Sequence, residues 1–176
     1  FDIIEQVKKQ IDIPVALKIS YHFSGLAHMI RKLSWTGIQG LVLFNRFYHP
    51  DIDPDKLRIS AANMYSRPEE ITTSLRWIAI MAGKVHCDLC ASSGVQEGLG
   101  VVKQLMAGAD AVQVCSVLYK NGVEYLGSIH SELTSWMDKN GHKDIQAFKG
   151  SMSHKNSAAG PAYYRVQYMK HFAGID

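Results

Sequence analysis

Four short apolar runs, each set off by stretches of helical periodicity, limit what this chain can fold into more than any other feature. The runs are PVALKIS (14–20), GLVLFN (40–45), VHCDLCA (85–91) and DAVQVCS (110–116). Each is too short for a helix, and each is apolar at successive positions, so strands buried on both faces are expected. Strands of that kind form parallel sheets, and a parallel pair needs a long crossover, most simply a helix. Helical patterns stand where the crossovers must be. Residues 1–11 carry Phe1, Ile4, Val7 and Ile11 on one face. Residues 24–36 follow, with Ser24 as candidate N-cap. After Pro68 comes EEITTSLRWIAIMAG, acidic in its first turn and with Gly83 beyond its end. A helix over 95–107 closes at Gly108, and one over about 122–140 ends at Asn140 and Gly141. HPDIDPDK reads as a loop. The chain closes with DIQAFKG, the polar stretch SMSHKNSAAG and a last helical pattern, AYYRVQYMKHF.

The strand starts lie roughly 25 to 45 residues apart, the spacing of βα units. Two layouts satisfy this order: an open doubly wound sheet, or part of a (β/α)8 barrel. A full barrel takes about 250 residues; four strands in 176 residues make half of one. The expected fold class is therefore α/β, a partial TIM barrel comprising roughly four βα units. Residues 1–150 would form the barrel portion and 151–176 a tail ending in a helix. The chain opens on FDIIEQVKKQ instead of Met, already inside a helical pattern, which points to a piece of a longer protein.

Composition removes several function classes. A net charge of +3 without any Lys/Arg run argues against nucleic acid. No apolar run reaches the length of a membrane span, and a cytoplasmic setting is expected. Three cysteines do not make a disulfide framework.

In both layouts ligands sit beyond the carboxyl ends of the strands. Lys18 and Ser20 stand there on the first strand, Asn45 and Arg46 on the second, Ser92, Ser93 and Gly94 on the third, Cys115 and Ser116 on the fourth. Lys18 lies in an apolar strand, where an ammonium needs a partner: a phosphate, a carbonyl, the edge of a flavin, or a carboxylate elsewhere in a barrel. The Asn45 amide offers both a donor and an acceptor to a planar substrate. The small residues of ASSGV and QVCSVL fit two loops of backbone N–H groups converging on one phosphate. Cys87 and Cys90 form CDLC, but inside a strand, where positions three apart face opposite ways. They read as buried and inert, not as a redox or zinc pair, and no metal site is expected. His22, His49, His86 and His154 show no metal-ligand spacing. The interleaved basic and aromatic residues of the tail (Lys155, Tyr163, Tyr164, Arg165, Tyr168, Lys170, His171, Phe172) read as a packing helix, on the body or on a second subunit.

The succession ALKIS, LVLFN, CASSGV, LMAGADAVQVCSVLYKNG and DIQAFKGSMS resembles the C-terminal half of class 1 dihydroorotate dehydrogenases and their relatives, up to about residue 153. Those are FMN-dependent (β/α)8 barrels that oxidise dihydroorotate to orotate in pyrimidine biosynthesis. The resemblance implies FMN as cofactor, with Lys18 against the flavin ring. Ser93, Gly94, Cys115 and Ser116 would lie at its phosphate, and Asn45 on a dihydropyrimidine-like substrate. A homo-oligomer is also expected. The catalytic base of that family lies in the half this chain does not match, so no catalytic residue is assigned here and no turnover is expected of the chain alone. The sequence departs from the family in three places. RISAANMYS replaces a glycine-rich loop, Arg46 replaces a hydroxyl residue after the asparagine, and Ser93 and Cys115 each replace a phosphate-loop glycine. Two other readings stay open: a phosphate-binding lyase or isomerase barrel using Lys18, and a non-catalytic half-barrel that self-associates through open strand edges.

Overall fold

The computed structural model describes residues 1–47 and 49–165. Its centre is a sheet of four parallel strands: β1 (Ala16–Ile19), β2 (Gly40–Leu43), β5 (Asp88–Ser92) and β6 (Ala111–Gln113), side by side in that order. The chain visits them in sequence without reversing. Between β2 and β5 it inserts an antiparallel hairpin of β3 (Pro50–Asp53) and β4 (Arg58–Ala61). Helices α1 (Asp2–Lys8), α2 (Leu26–Ser34), α3 (Ile71–Met81), α4 (Gly98–Ala107), α5 (Ser116–Asn121) and α6 (Tyr125–Lys139) complete the order.

The register sorts the sheet into two faces. Leu17, Ile19, Leu41, Leu43, Leu89, Ala91 and Val112 share one; Ala16, Lys18, Gly40, Val42, Asp88, Cys90, Ser92, Ala111 and Gln113 share the other. The first set joins Leu26, Ile30 and Leu33 of α2 and Ile78, Ala79 and Met81 of α3 in one core. In α2 those positions recur every three or four residues, a single apolar stripe turned to the sheet, whereas the end of α3 buries four successive residues, Ile78, Ala79, Ile80 and Met81. A fully buried Leu or Ile there contributes about 1.5–3 kcal/mol. The second set lies outside this core, and Lys18 is exposed. The expectation of strands buried on both faces is thus corrected. On that face the apolar runs are continued mainly by small residues, with Val42 buried at 5% exposure although it lies outside the core shared with α2 and α3.

Five boundaries also differ from the sequence reading. HPDIDPDK is not a loop but most of the hairpin; aspartates and prolines mask its strands because those residues are depleted in sheets. Its apolar pair, Ile52 opposite Ile59, faces solvent at 71% and 79% exposure, so burial periodicity gives no cue. The 110–116 run shortens to Ala111–Gln113 and the 85–91 run to Asp88–Ser92, leaving Cys87 before the strand. Gly25, not Ser24, stands at the cap of α2 without a side-chain bond. The helix expected over about 122–140 is found as α6, Tyr125–Lys139, and a short helix the reading did not expect, α5, precedes it and ends at Gly122 (φ +86).

Residues 150–163 run back across α3 and α4. Gly150 and Met152 N–H donate to Leu105 and Met106 carbonyls at 2.9 and 2.8 Å, and Arg76 Nε donates to the Tyr163 carbonyl at 2.7 Å. The terminal helical pattern starts as a 3-10 turn over Gly160–Tyr163; most of it, with Tyr168, Lys170, His171 and Phe172, lies outside the described residues.

Candidate functional site

The carboxyl ends of the four parallel strands meet around a cavity of about 190 Å³. Lys18, Asn45, Ser93, Gly94, Cys115 and Ser116 all line it, together with Arg46, Met64, Ser66, Ser92 and Gln113. The sheet register accounts for this. Lys18, Ser92 and Gln113 are on the same open face, and the loops that follow each strand begin within a residue or two of one another.

Lys18 Nζ donates to Ser92 Oγ at 3.2 Å and Gln113 Oε1 at 3.1 Å. Both acceptors are neutral, and no carboxylate pairs with this ammonium among the described residues. An ammonium has three donors, so the two bonds fix its position and leave it a net positive charge at the cavity. Asn45 is placed by its backbone N–H, which donates to the Ile19 carbonyl at 2.7 Å.

Ser93 and Gly94 are both left-handed, at φ +79 and +76. That conformation costs a side-chain-bearing residue about 1 kcal/mol and suits glycine, so Ser93 stands where glycine would be relaxed. At Gly94 a Cβ would meet the backbone of Ile71, so the start of α3 takes up the space its missing side chain leaves. The backbone N–H groups of Ser93, Gly94 and Cys115 have no acceptor among the described residues. Three such donors beside one lysine form a wall suited to an anion.

The segment after the hairpin closes this wall, a part of the site the sequence reading did not find. Ser66, only 5% exposed, donates its N–H to Ser116 Oγ at 2.9 Å, and the two hydroxyls lie 3.1 Å apart. Gln96 Nε2 donates to the Ser66 carbonyl at 3.1 Å. The Ser116 hydroxyl is therefore already engaged within the chain. Arg46, expected from the resemblance to be a hydroxyl residue, has a structural task. Its Nε and Nη2 grip both Glu70 carboxylate oxygens at 2.7 and 3.1 Å, and its guanidinium donates to the carbonyls of Asn63, Met64 and Tyr65. It thereby ties the post-hairpin segment to the start of α3. Burial alone would raise the Glu70 carboxyl; hydrogen bonds from Arg46 and the Arg67 N–H, and the charges of both arginines, outweigh it and hold the carboxyl below its ordinary range.

Burial, with Asp88 and Asp110 nearby, pushes the Cys87 thiol up to about 11, and burial raises Cys90 although Lys18 opposes it. Neither is a ready thiolate at neutral pH. Cys115 is exposed on the cavity rim.

The chain has a parallel α/β sheet with a cavity beyond the strands' carboxyl ends, the edge at which proteins of such layouts bind ligands. Comparison with known proteins is more specific. The catalytic subunit of dihydroorotate dehydrogenase B (NAD(+)) from Thermoplasma volcanium is 23% identical over 152 residues, 85% of this chain and 50% of the relative. That of Thermoplasma acidophilum is 26% identical with the same coverage, and that of Methanocaldococcus jannaschii 26% identical over 78% of this chain and 46% of the relative. Crystal structures of DHODH from Eimeria tenella, ligand-free and in complex with ferulenol, superpose with a TM-score of 0.60. They are 23% and 22% identical and cover 77% and 78% of this chain, and 39% and 38% of their own. No family model matches. The chain is thus related to dihydroorotate dehydrogenases over about 85% of its length, and it spans about half the length of the curated relatives it matches. No helix among the described residues is long and apolar enough to cross a membrane.

Proposed function

We propose that this chain is the flavin-holding part of a dihydroorotate dehydrogenase-type oxidoreductase, its four parallel strands an arc of a (β/α)8 barrel. Support for the arc comes from the sequential strand order and from a core confined to one sheet face; a doubly wound sheet reverses its order and buries both faces. The observation that carries the functional reading is the cavity wall. Among the described residues, one lysine without a carboxylate partner and three backbone N–H groups without acceptors line the same space. That donor set fits FMN at its charged groups. The cavity suits a phosphate or one ring edge, and the wider open face leaves room for the remainder.

In this reading the loops at Ser93–Gly94 and Cys115–Ser116 hold the phosphate through backbone N–H groups, and Lys18 supplies positive charge to the ring. Asn45 orients a dihydropyrimidine-like substrate. A bound flavin would accept the hydride released when such a ring is oxidised. Ser92 and Gln113 keep the Lys18 ammonium in place, and Ser66 and Arg46 keep the loops together. No residue here is assigned as the base, and the 176-residue chain alone is expected to show no dihydroorotate oxidation. The lyase reading is weaker. A Schiff-base lysine is commonly desolvated in an apolar pocket, whereas Lys18 is exposed among hydroxyl and amide groups.

The test is retention of FMN by the purified chain after gel filtration, read from the flavin absorption band. Riboflavin serves as the comparison without phosphate, and Lys18→Met as the variant without the charge. Retention of FMN, weaker retention of riboflavin and loss in the variant are expected. Equal behaviour of FMN and riboflavin, or no flavin retained at all, would sink the reading.

A further inference from the structure

A cavity of about 340 Å³ lies at the other end of the sheet, at the amino ends of β5 and β6, where Cys87, Leu89 and Asp110 line it. The segment after Phe148 closes it. Gly150, Met152 and His154 donate N–H bonds to the carbonyls of Leu105, Met106 and Ala79 at 2.9, 2.8 and 2.9 Å. Those bonds lay the segment across the ends of α3 and α4 and bring Lys149, Ser153 and Lys155 to the cavity wall. Free carbonyls at a helix end favour cations. Here the last-turn carbonyls of Ile78, Met81 and Gln104 are also taken, by the N–H groups of Ala82, Lys84 and Gly108.

We propose that this cavity is a site for a small tetrahedral oxyanion, the chemistry shared by free phosphate and a phosphate ester. The titratable groups that line it are Cys87, Asp110, Lys149 and Lys155. The Asp110 carboxylate is already satisfied: one oxygen accepts Lys149 Nζ at 2.7 Å and the other the Leu89 N–H at 2.8 Å. The charges of Asp110 and Lys149 cancel, and that of Lys155 remains, its ammonium without a hydrogen bond or carboxylate partner among the described residues. Neutral donors add to it. The Ser153 hydroxyl, only 2% exposed, accepts the Asn156 N–H at 3.4 Å but has no acceptor for its own proton among the described residues. The backbone N–H groups of Gly83, Val85 and Cys87 have none either. Donors withdrawn from water need acceptors, and an oxyanion brings several oxygens to one place. The volume admits a phosphate with a short organic group, at the low end of small-ligand pockets.

None of these residues lines the flavin cavity, so the proposal stands without that reading and the test separates the two. The 15N-labelled chain is titrated with sodium phosphate and, separately, with glycerol 3-phosphate, at an ionic strength held constant with sodium chloride, and amide chemical shifts are followed. Saturable shifts at Gly83, Val85, Cys87 and Lys155 are expected. Tighter saturation by the ester supports the proposal and assigns a phosphate ester; tighter or equal saturation by phosphate supports it and assigns the free ion. Lys155→Ala should weaken binding at these amides roughly tenfold, and Lys155→Arg should keep it. Lys155 is exposed and its side chain bonds to nothing among the described residues, so both variants keep the parent's thermal midpoint. Phosphate shifts at Ser93 and Gly94 report the flavin wall and should disappear in Lys18→Met, with the Gly83 group unchanged. No saturable shift at the Gly83 group, an equal response to chloride, no effect of Lys155→Ala, or loss of the Gly83 shifts in Lys18→Met would each overturn the proposal.

Discussion

The two faces of the central sheet are built from the same strands, alternate residue by alternate residue, and have opposite characters. The covered face is Leu17, Ile19, Leu41, Leu43, Leu89, Ala91 and Val112, locked into the core with α2 and α3. The open face mixes small residues with Lys18, Asp88, Cys90, Ser92 and Gln113, and of these Lys18, Ser92 and Gln113 converge on the cavity at the strand ends. The contrast teaches a division of labour. Stability comes from one face, and the chemistry can be placed on the other because little of the fold's free energy depends on it.

That division can be broken by experiment. The largest effect is expected at Leu41, which is fully buried in the core. Leu41→Ala should cost about 3 kcal/mol in chemical denaturation, and a loss under about 1 kcal/mol would mean the covered face is not the stabilising one. Next comes the Arg46 clamp. Arg46→Met removes charge-assisted bonds to Glu70 and three carbonyls, and should cost about 1–2 kcal/mol at neutral pH. The clamp also sets a pH dependence. The folded Glu70 carboxyl lies below its unfolded value of about 4.3, so its contribution is complete above that pH and disappears as pH falls through the lower folded value. Denaturation curves between neutral pH and pH 3 should show that loss in the parent chain and a smaller one in Arg46→Met, where the Arg67 N–H bond to Glu70 remains. At the cavity rim the sign reverses. Ser93→Gly relieves a left-handed serine and should raise stability by about 0.5–1 kcal/mol, and a loss would show that the Ser93 side chain is needed. The smallest stability effect belongs to the open face itself. Lys18→Met should change unfolding by less than about 0.5 kcal/mol while abolishing FMN retention; a large stability loss would join the two faces into one cooperative unit.

The cysteines extend the comparison by reactivity. Exposed Cys115 should be carbamidomethylated well before half-buried Cys87 and Cys90, whose thiols burial holds protonated. Peptide mass mapping during a timed iodoacetamide reaction reads the order directly.

Much of the cavity lining was legible because a parallel sheet gathers the residues that follow its strands at one edge. Once the four runs are read as parallel strands, Lys18, Asn45, Ser93, Gly94, Cys115 and Ser116 follow from their positions at the strand ends, without any contact being known. The hairpin was illegible for a physical reason: its strands bury little, so Ile52 and Ile59 show no inward period, and its aspartates and prolines spell a loop. Ser66 gave no signal either. Its role comes from bonds to Ser116 and Gln96, 50 and 30 residues away, and no local pattern encodes such distances.

The sequence by itself determined the βα alternation, the strand that carries each polar residue, and the edge where those residues gather, because periodicity and turn chemistry are local. Only the tertiary structure decided which sheet face the helices cover, that Arg46 clamps Glu70 to the post-hairpin segment, and that the strand ends border two cavities. Those outcomes depend on which distant segments come into contact, and it is packing around the core that settles this.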